Sequence, residues 1–213
     1  MTQVNLSKGP GGGDIRFTSF NCKGLNNPIK RSKVLHHVHQ LGAHIVFLQE
    51  THLKATDHLK LKKSWVGQIY HSSFAGKSRG AAILLHKSVP FQLSKISADP
   101  NGRFVIITGQ IHDTRVALAN VYAPNCDDDA FFIRLFSILP DMSSHHLILG
   151  GDFNCWLCPH LDRSSTKVCA PSRSSRVIQL LCLSLLLPMP GASLTRLKKD
   201  THSSRLSTIH LRA

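Results

Sequence analysis

The chain has few acidic side chains and no apolar run long enough for a membrane, and both shortages limit its function. It carries 12 Asp and Glu against 26 Lys and Arg in 213 residues, a net charge of +14 with neutral His. Such a balance favours a polyanionic partner, with nucleic acid as the first candidate. Half of the excess lies from Lys167 onward, where eight Lys or Arg accompany one Asp. The apolar segment 177–187 is far too short to cross a bilayer, so we expect no membrane partner.

The cysteines and the first residues indicate the compartment. The six cysteines do not show the spacing of a disulfide framework, and no signal peptide opens the chain. Residues 1–14 are polar and glycine-rich, which predicts a disordered leader. We therefore expect a reduced, intracellular protein. Cys155, Cys158 and His160 invite a zinc interpretation, but no second Cys or His pair lies at a suitable spacing to complete four ligands.

Hydrophobic periodicity predicts helices toward both ends of the chain and consecutive strands in its middle. The expected helices cover 30–40, 56–63 and about 128–139, with Asn27 and either Asp127 or Asp128 as caps. Strands are expected at 15–20, 44–48, 68–74, 81–86, 91–96, 104–111, 116–121 and 147–149. This order predicts one α/β domain of two packed mixed sheets with helices outside, without repeats.

Polar side chains follow several buried strands at the point where each strand ends. Asn21, Glu50 and the run Gly150-Gly151-Asp152-Phe153-Asn154 each come after an apolar segment, as does Asn120-Val121-Tyr122. Ligand sites of α/β sheets gather at the carboxyl ends of strands, and carboxylates with amides suit Mg²⁺. Taken singly, each has an ordinary alternative: a Gly-Gly-Asp turn, an Asp helix cap, or an exposed carboxylate at Glu50. As an ordered set they predict phosphate chemistry.

Five successive motifs resemble those of the endonuclease/exonuclease/phosphatase superfamily, in family order and with similar spacing over 15–162. The branch most similar is the apurinic-site-like endonuclease of non-LTR (LINE-type) retrotransposons. The motifs are Ser19-Phe20-Asn21, Leu48-Gln49-Glu50-Thr51, Ser78-Arg79-Gly80-Ala81-Ala82-Ile83-Leu84, Asn120-Val121-Tyr122-Ala123-Pro124 and Gly150-Gly151-Asp152-Phe153-Asn154. The resemblance implies a four-layer α/β sandwich and a monomeric, nuclear, DNA-nicking endonuclease that uses Mg²⁺, with Mn²⁺ as an alternative.

The resemblance also implies a role for individual residues. Glu50 would be the principal Mg²⁺ ligand, with Asn21 beside it holding metal or phosphate. Asp152 would orient or deprotonate the attacking water, and Asn154 would position Asp152 or bind a phosphate oxygen. Tyr122 would donate its hydroxyl to a phosphate oxygen or the leaving group, unless it is merely a half-buried aromatic.

Two further residues are expected to contact nucleic acid, namely Arg79 in its Gly-Lys-Ser-Arg-Gly loop and Asn120. Two other functions stay open. One is a repair-type apurinic endonuclease, exodeoxyribonuclease or phosphatase of the same superfamily, and the other is a catalytically dead remnant that only binds nucleic acid.

The C-terminal part departs from the family pattern. The Asp-containing strand and the Ser-Asp-His motif that the family carries after Gly-Asp-Phe-Asn do not occur, and no aromatic residue follows Trp156. One codon choice for 188–204, read one nucleotide out of register, spells the aromatic segment such nucleases have there. We therefore predict a domain over 15–165, incomplete at its C-terminus, and a frameshifted tail over 166–213; the alternative is a divergent but functional tail. The tail is expected to leave sheet edges exposed and to form one helix or strand at 177–187.

Overall fold

The computed structural model describes residues 15–141, 143–155 and 172–186, together with the backbone of three further strands. Every helix and strand predicted over 15–149 is present, with ends that differ by a few residues. In chain order the elements are β1 (Thr2–Val4), β2 (Ile15–Asn21), α1 (Pro28–Gln40), β3 (Ile45–Gln49), a 3-10 helix (Ala55–Leu61), β4 (Val66–Ser72), β5 (Ala81–His86), β6 (Phe91–Ala98), β7 (Phe104–Ile111), β8 (Thr114–Tyr122), α2 (Asp129–Ser137), β9 (His146–Asp152), α3 (Arg173–Leu186), β10 (Ser193–Leu197) and β11 (Leu206–Arg212).

The strands form two mixed sheets, as the sequence predicts. The first sheet has the order β1-β2-β3-β5-β4 and the second the order β10-β11-β9-β8-β7-β6. Within the first sheet β2 and β3 are parallel, and within the second β8 and β9 are parallel. All other pairs in both sheets are antiparallel. Because two parallel neighbouring strands run in the same direction, each sheet has two adjacent strands whose carboxyl ends lie side by side.

Alternation of side chains along the strands separates the core into layers. On β3, Ile45 and Phe47 face the other sheet, whereas Val46 and Leu48 pack against α1. β8 divides in the same way between the inter-sheet core and the α2 side. The α2 side also contains Ile178 and Cys182 of α3. The result is a helix–sheet–sheet–helix arrangement, which confirms the predicted four-layer α/β fold.

Capping residues explain where the outer helices begin. Asn27 accepts bonds from the main-chain nitrogens of Ile29 and Lys30, at 2.9 and 3.1 Å, and Pro28 occupies the first turn. Asp128 caps α2 by accepting from the Phe131 nitrogen at 3.0 Å. The preceding residue, Asp127, caps a different helix.

Asp127 caps α3, which lies far along the chain. Its two carboxylate oxygens accept from the main-chain nitrogens of Arg173 and Ser174, at 2.9 and 2.7 Å. These bonds hold the pKa of Asp127 at about 2, below its usual value, with the Ser174 contacts as the largest cause. Helix α3 forms where the sequence predicts a helix or strand, and the folded body therefore continues past residue 165.

Both chain ends differ from the sequence-based expectation. Residues 2–4, expected in a disordered leader, pair with β2 as strand β1, and residues 5–14 lie outside the described part. In the tail, β11 pairs antiparallel with β9 from Leu206 opposite Asp152 to Leu211 opposite Leu147. The expectation that tail residues would not cover this edge is therefore wrong. The physical reason is that unpaired main-chain groups of a free edge favour any extended segment that reaches them.

The helices are also relevant to the expectation of no membrane partner. No helix in the described part of the chain is long and apolar enough to cross a membrane.

Candidate active site

The polar strand-end residues of both sheets meet at one end of the sandwich. Asn21 ends β2 beside Gln49 of β3, and Tyr122 ends β8 beside Asp152 of β9. Glu50 is the first residue after β3. The two parallel pairs bring these side chains to the same edge, because their carboxyl ends point the same way.

One amide group links the two predicted carboxylates. The Asn21 Nδ2 donates to Glu50 Oε1 at 2.7 Å and to Asp152 Oδ2 at 2.8 Å. Glu50 directly follows β3 of the first sheet and Asp152 ends β9 of the second, so this amide links the two sheets at the site. The structure thus brings Asn21, Glu50 and Asp152 together, as the sequence predicts.

Asn154 holds Asp152 through its main chain. Its main-chain nitrogen donates to Asp152 Oδ1 at 3.1 Å, while its side-chain Nδ2 donates to the Ala123 carbonyl at 2.9 Å. This second bond ties the loop after β9 to the end of β8. Asn154 therefore lies at the predicted site and orients Asp152.

Tyr122 is buried and lies close enough to Glu50 for the charge of that carboxylate to act on its hydroxyl. Burial raises the pKa of Tyr122 above its ordinary value, and the charge of Glu50 adds to this effect. The phenol is therefore protonated at neutral pH and available as a hydrogen-bond donor. Arg103 lies with its guanidinium carbon 5.0 Å from the centre of the Tyr122 ring and donates to the Ala123 carbonyl at 3.1 Å.

Arg79 lies at the rim of the site in a loop connected to Glu50. Its guanidinium carbon is 4.5 Å from the centre of the Phe74 ring, and its side chain is partly exposed. The Arg79 carbonyl accepts from the His52 nitrogen at 2.8 Å, and the Gly80 carbonyl accepts from the Thr51 nitrogen at 3.0 Å. The loop bearing Arg79 is thus joined to the segment that follows Glu50.

Asn120 does not reach the surface, contrary to the expectation that it contacts nucleic acid. It is 0% exposed, and its Nδ2 donates to the carbonyls of Leu48 and Ala82 at 2.9 and 2.8 Å. The reason is strand periodicity, because Asn120 lies on the same inward face of β8 as Val116 and Leu118. Its side chain joins the two sheets.

Backbone strain is concentrated at this site. Six non-glycine residues of the described part have positive φ, and four of them lie here: Glu50, His52, Arg79 and Asn154. Such conformations cost about 1–3 kcal/mol each and are typical of functional sites. Gly151 has φ of 143°, and a Cβ there would collide with the Val121 carbonyl oxygen. The Gly-Gly-Asp motif therefore requires glycine at its second position.

The donor set suits a hard dication. Glu50 Oε1 and Asp152 Oδ2, which accept from the same Asn21 nitrogen, are the carboxylate oxygens that Mg²⁺ or Mn²⁺ prefers as ligands. His52 Nε2 lies 3.6 Å from the other oxygen of Glu50. No three His, Cys, Asp or Glu side chains cluster as a metal centre within the described residues. A two-carboxylate site fits Mg²⁺, which keeps several waters.

The zinc interpretation of the sequence concerns Cys155, Cys158 and His160. Cys158 and His160 lie outside the described residues.

Sequence reasoning missed three residues at or below the site. Arg103 follows a turn, and nothing in its spacing marks it. His52 lies two residues after Glu50, and no motif signals its contact with that carboxylate. Gln49 is part of a motif, but its place in the inward row with Ile45 and Phe47 is the signal that predicts a buried amide.

This fold and site belong to a known class. Residues 18–176 match the endonuclease/exonuclease/phosphatase family, and the chain belongs to that family.

A protein of a mobile element is among its relatives. The chain is 31% identical over 144 residues to the transposon TX1 uncharacterized 149 kDa protein of Xenopus laevis. This alignment covers 66% of the chain and 11% of that protein, so the chain spans a small part of its relative's length.

Solved structures share the fold. The endonuclease domain of TRAS1, a telomere-specific non-LTR retrotransposon, superposes with a TM-score of 0.63 at 14% identity, covering 92% of this chain and 83% of that one. An AP endonuclease from Archaeoglobus fulgidus gives 0.62 at 17% identity, covering 92% and 86%. The 3′-5′ exonuclease from Neisseria meningitidis gives 0.61 at 21% identity, covering 92% and 85%.

Proposed function

We propose that this chain is a Mg²⁺-dependent phosphodiesterase that nicks DNA, descended from the endonuclease of a LINE-type retrotransposon. The observation that carries the proposal is the meeting of Glu50 and Asp152, from different sheets, at the Asn21 amide. The similarity to a transposon protein and the fold shared with a retrotransposon endonuclease domain support it. We expect the protein to act as a monomer in the nucleus, as the family resemblance implies.

Each residue would supply one part of the hydrolysis. Glu50 and Asn21 would hold Mg²⁺, which when bound places positive charge beside the phosphoryl oxygens. Asp152 would accept a proton from the attacking water, and the Asn154 nitrogen keeps this carboxylate oriented. Tyr122, protonated at neutral pH, would donate to a phosphate oxygen or to the departing oxygen.

The positive charge of the protein, and of the two arginines beside the site, favours DNA as the substrate. Arg79 and Arg103 are close enough for the charge of Arg79 to lower the pKa of Arg103, after the larger effect of burial. Two neighbouring guanidinium groups favour a phosphate backbone as their partner. A net charge of +14 strengthens the attraction at longer range.

We further expect low turnover. The 213 residues contain no counterpart of the Ser-Asp-His motif that the resemblance implies. Loss of a preorganised electrostatic contact with the phosphate commonly costs ~10²–10³-fold in rate. The chain as it stands should therefore nick DNA slowly.

Nicking of supercoiled plasmid tests the proposal. The 213-residue protein should convert supercoiled to open-circular DNA with Mg²⁺ or Mn²⁺ and not with EDTA, and Glu50→Gln should abolish the conversion. Binding of plasmid with no metal-dependent nicking, at any enzyme concentration or time, would instead establish a binding remnant.

Substrate choice separates the proposed function from repair. The fold is shared with an AP endonuclease, so an abasic duplex should be compared with an intact T/A-rich duplex of equal length. Preferred cleavage of intact DNA supports the retrotransposon function. Preferred cleavage at the abasic position supports a repair-type endonuclease.

A further inference from the structure

A pair of buried amides, Gln49 and Asn120, lies directly below the site and joins the two sheets. Gln49 Nε2 donates to Asn120 Oδ1 at 2.6 Å and to Ser19 Oγ at 3.1 Å. Asn120 Nδ2 in turn donates to the carbonyls of Leu48 and Ala82. Gln49 and Asn120 are both 0% exposed, so neither can contact a substrate.

The pair occupies a defined layer of the interior. On β3 the inward row runs Ile45, Phe47, Gln49, and on β8 it runs Val116, Leu118, Asn120. Both rows are apolar until they reach the amides. Glu50 is the next residue after Gln49, and Tyr122 lies two residues after Asn120. The amide layer therefore separates the apolar core from the charged residues of the site.

An amide at position 49 is costly for stability. Its Oε1 is buried and accepts no hydrogen bond from the part of the chain that the structure describes. A buried acceptor left without a partner destabilises the folded state, and such a group in a native structure calls for a reason. An apolar side chain there would avoid this cost, so packing alone does not account for the amide.

We infer that Gln49 and Asn120 are positioning residues, which set the separation between Glu50 and Asp152 by fixing one sheet against the other. The inference rests on the proposed metal site. Glu50 is attached to β3 and Asp152 to β9, which pairs with β8. Any sliding of the sheets changes the distance between the two carboxylates. Metal sites tolerate errors of only about 0.5 Å, and apolar packing alone permits small shifts.

The test replaces both amides by apolar side chains of similar shape, in the double variant Gln49→Met/Asn120→Leu. Replacing both partners at once leaves neither amide without the other, but it also removes the donor to the Ser19 hydroxyl and to the carbonyls of Leu48 and Ala82, so a loss of stability is expected and is measured. The matched control is Ile107→Val, which trims the same inter-sheet core at a fully buried position away from the amide layer. Stability is followed by urea unfolding of all three proteins.

Two measurements distinguish positioning from ordinary packing. Mg²⁺ titration by calorimetry should give a dissociation constant raised ~10–100-fold in the double variant, as for other residues that orient metal ligands, and unchanged in Ile107→Val. In the metal-free protein, NMR should show the Asn21 side-chain NH₂ protected from exchange, as its two bonds require. That protection should be lost in the double variant only.

The outcomes separate this inference from the proposed function. If the double variant keeps both the wild-type Mg²⁺ affinity and the Asn21 protection, the amides are ordinary packing and the inference is wrong. If the wild-type protein binds no Mg²⁺, the proposed function fails, and the NMR comparison still decides the positioning role. Should the double variant not fold, Gln49→Met alone, which leaves the two main-chain bonds of Asn120 intact, is measured in the same way.

Discussion

Glu50 and Asp152 lie more than 100 positions apart in the chain and on different sheets, yet both accept a hydrogen bond from the same nitrogen of Asn21. Two carboxylates held this close repel each other unless a donor or a cation lies between them. The Asn21 amide supplies that donor, and a dication held by Glu50 and Asn21 would add attraction for the neighbouring carboxylate. The predictions about metal, proton donation and DNA follow from this arrangement.

Glu50→Gln should lower Mg²⁺ affinity and abolish nicking, because a neutral amide is a poorer ligand for a hard dication. Calorimetric titration with Mg²⁺ and the plasmid assay measure the two effects. Asp57→Asn is the control, since Asp57 is a carboxylate outside the site that pairs with Lys60. An unchanged Mg²⁺ titration in Glu50→Gln would remove Glu50 from the metal site.

Tyr122→Phe should reduce nicking by about 10²-fold, the scale of a lost proton donor, with little change in DNA affinity. The reduction should be largest at neutral pH, where the raised pKa keeps the wild-type phenol protonated. As pH rises through that pKa, the donor is lost in the wild-type protein and the two rates should approach each other. Equal rates at pH 7 would show that Tyr122 is only a packed aromatic.

Alkaline titration checks the state of this phenol directly. The chain has two tyrosines, and burial raises the pKa of both Tyr70 and Tyr122. Absorbance of tyrosinate should therefore rise at higher pH in the folded protein than in the urea-unfolded chain, and Tyr70→Phe isolates the transition of Tyr122. A transition of Tyr122 at or below the ordinary value would contradict its burial against Glu50.

Much of this fold follows from local sequence. Continuous apolar runs predict buried strands such as β3 and β8, and polar residues at the ends of such strands predict that Asn21, Glu50 and Asp152 meet. The prediction that Asn120 contacts nucleic acid is wrong, because strand periodicity and not the motif decides which way its side chain faces. The same period of two that places Val116 and Leu118 inside also places Asn120 there.

Other features depend on contacts that local sequence does not contain. Asp127 and Asp128 are adjacent and equally good caps, and only the arrival of α3 assigns Asp127 to another helix. The pairing of β11 with β9 likewise joins segments about 60 residues apart, and its composition alone predicts no partner. Arg103 reaches Tyr122 from a turn whose direction is set by β6 and β7.

DNA affinity should fall steeply with salt, because binding of the phosphate backbone releases counterions. Arg79→Glu should weaken binding to all sequences alike. Lys87→Glu makes the same change in net charge at the opposite end of the sheet, since β5 runs antiparallel to β3, and should weaken binding less. Fluorescence anisotropy at several salt concentrations measures both variants. Equal losses in the two would mean that only net charge matters and that Arg79 makes no contact.

The cap of α3 should make stability depend on pH in the acid range. The pKa of Asp127 is about 2 in the folded protein, below the ordinary value near 4 in the unfolded chain. Its contribution is therefore fully present above the unfolded value and is lost as pH falls through the folded value.

Asp127→Ala should have a lower urea midpoint than the wild-type protein at pH 7. At low pH the difference between the two midpoints should become smaller. Asp127→Asn keeps an oxygen acceptor for the main-chain nitrogens of Arg173 and Ser174. Its urea midpoint at pH 7 should therefore lie between those of the wild-type protein and Asp127→Ala. The measurement is urea unfolding of the three proteins from pH 2 to 7. A difference between wild type and Asp127→Ala that stays constant over this range would show that the charge of Asp127 does not stabilise the junction with α3.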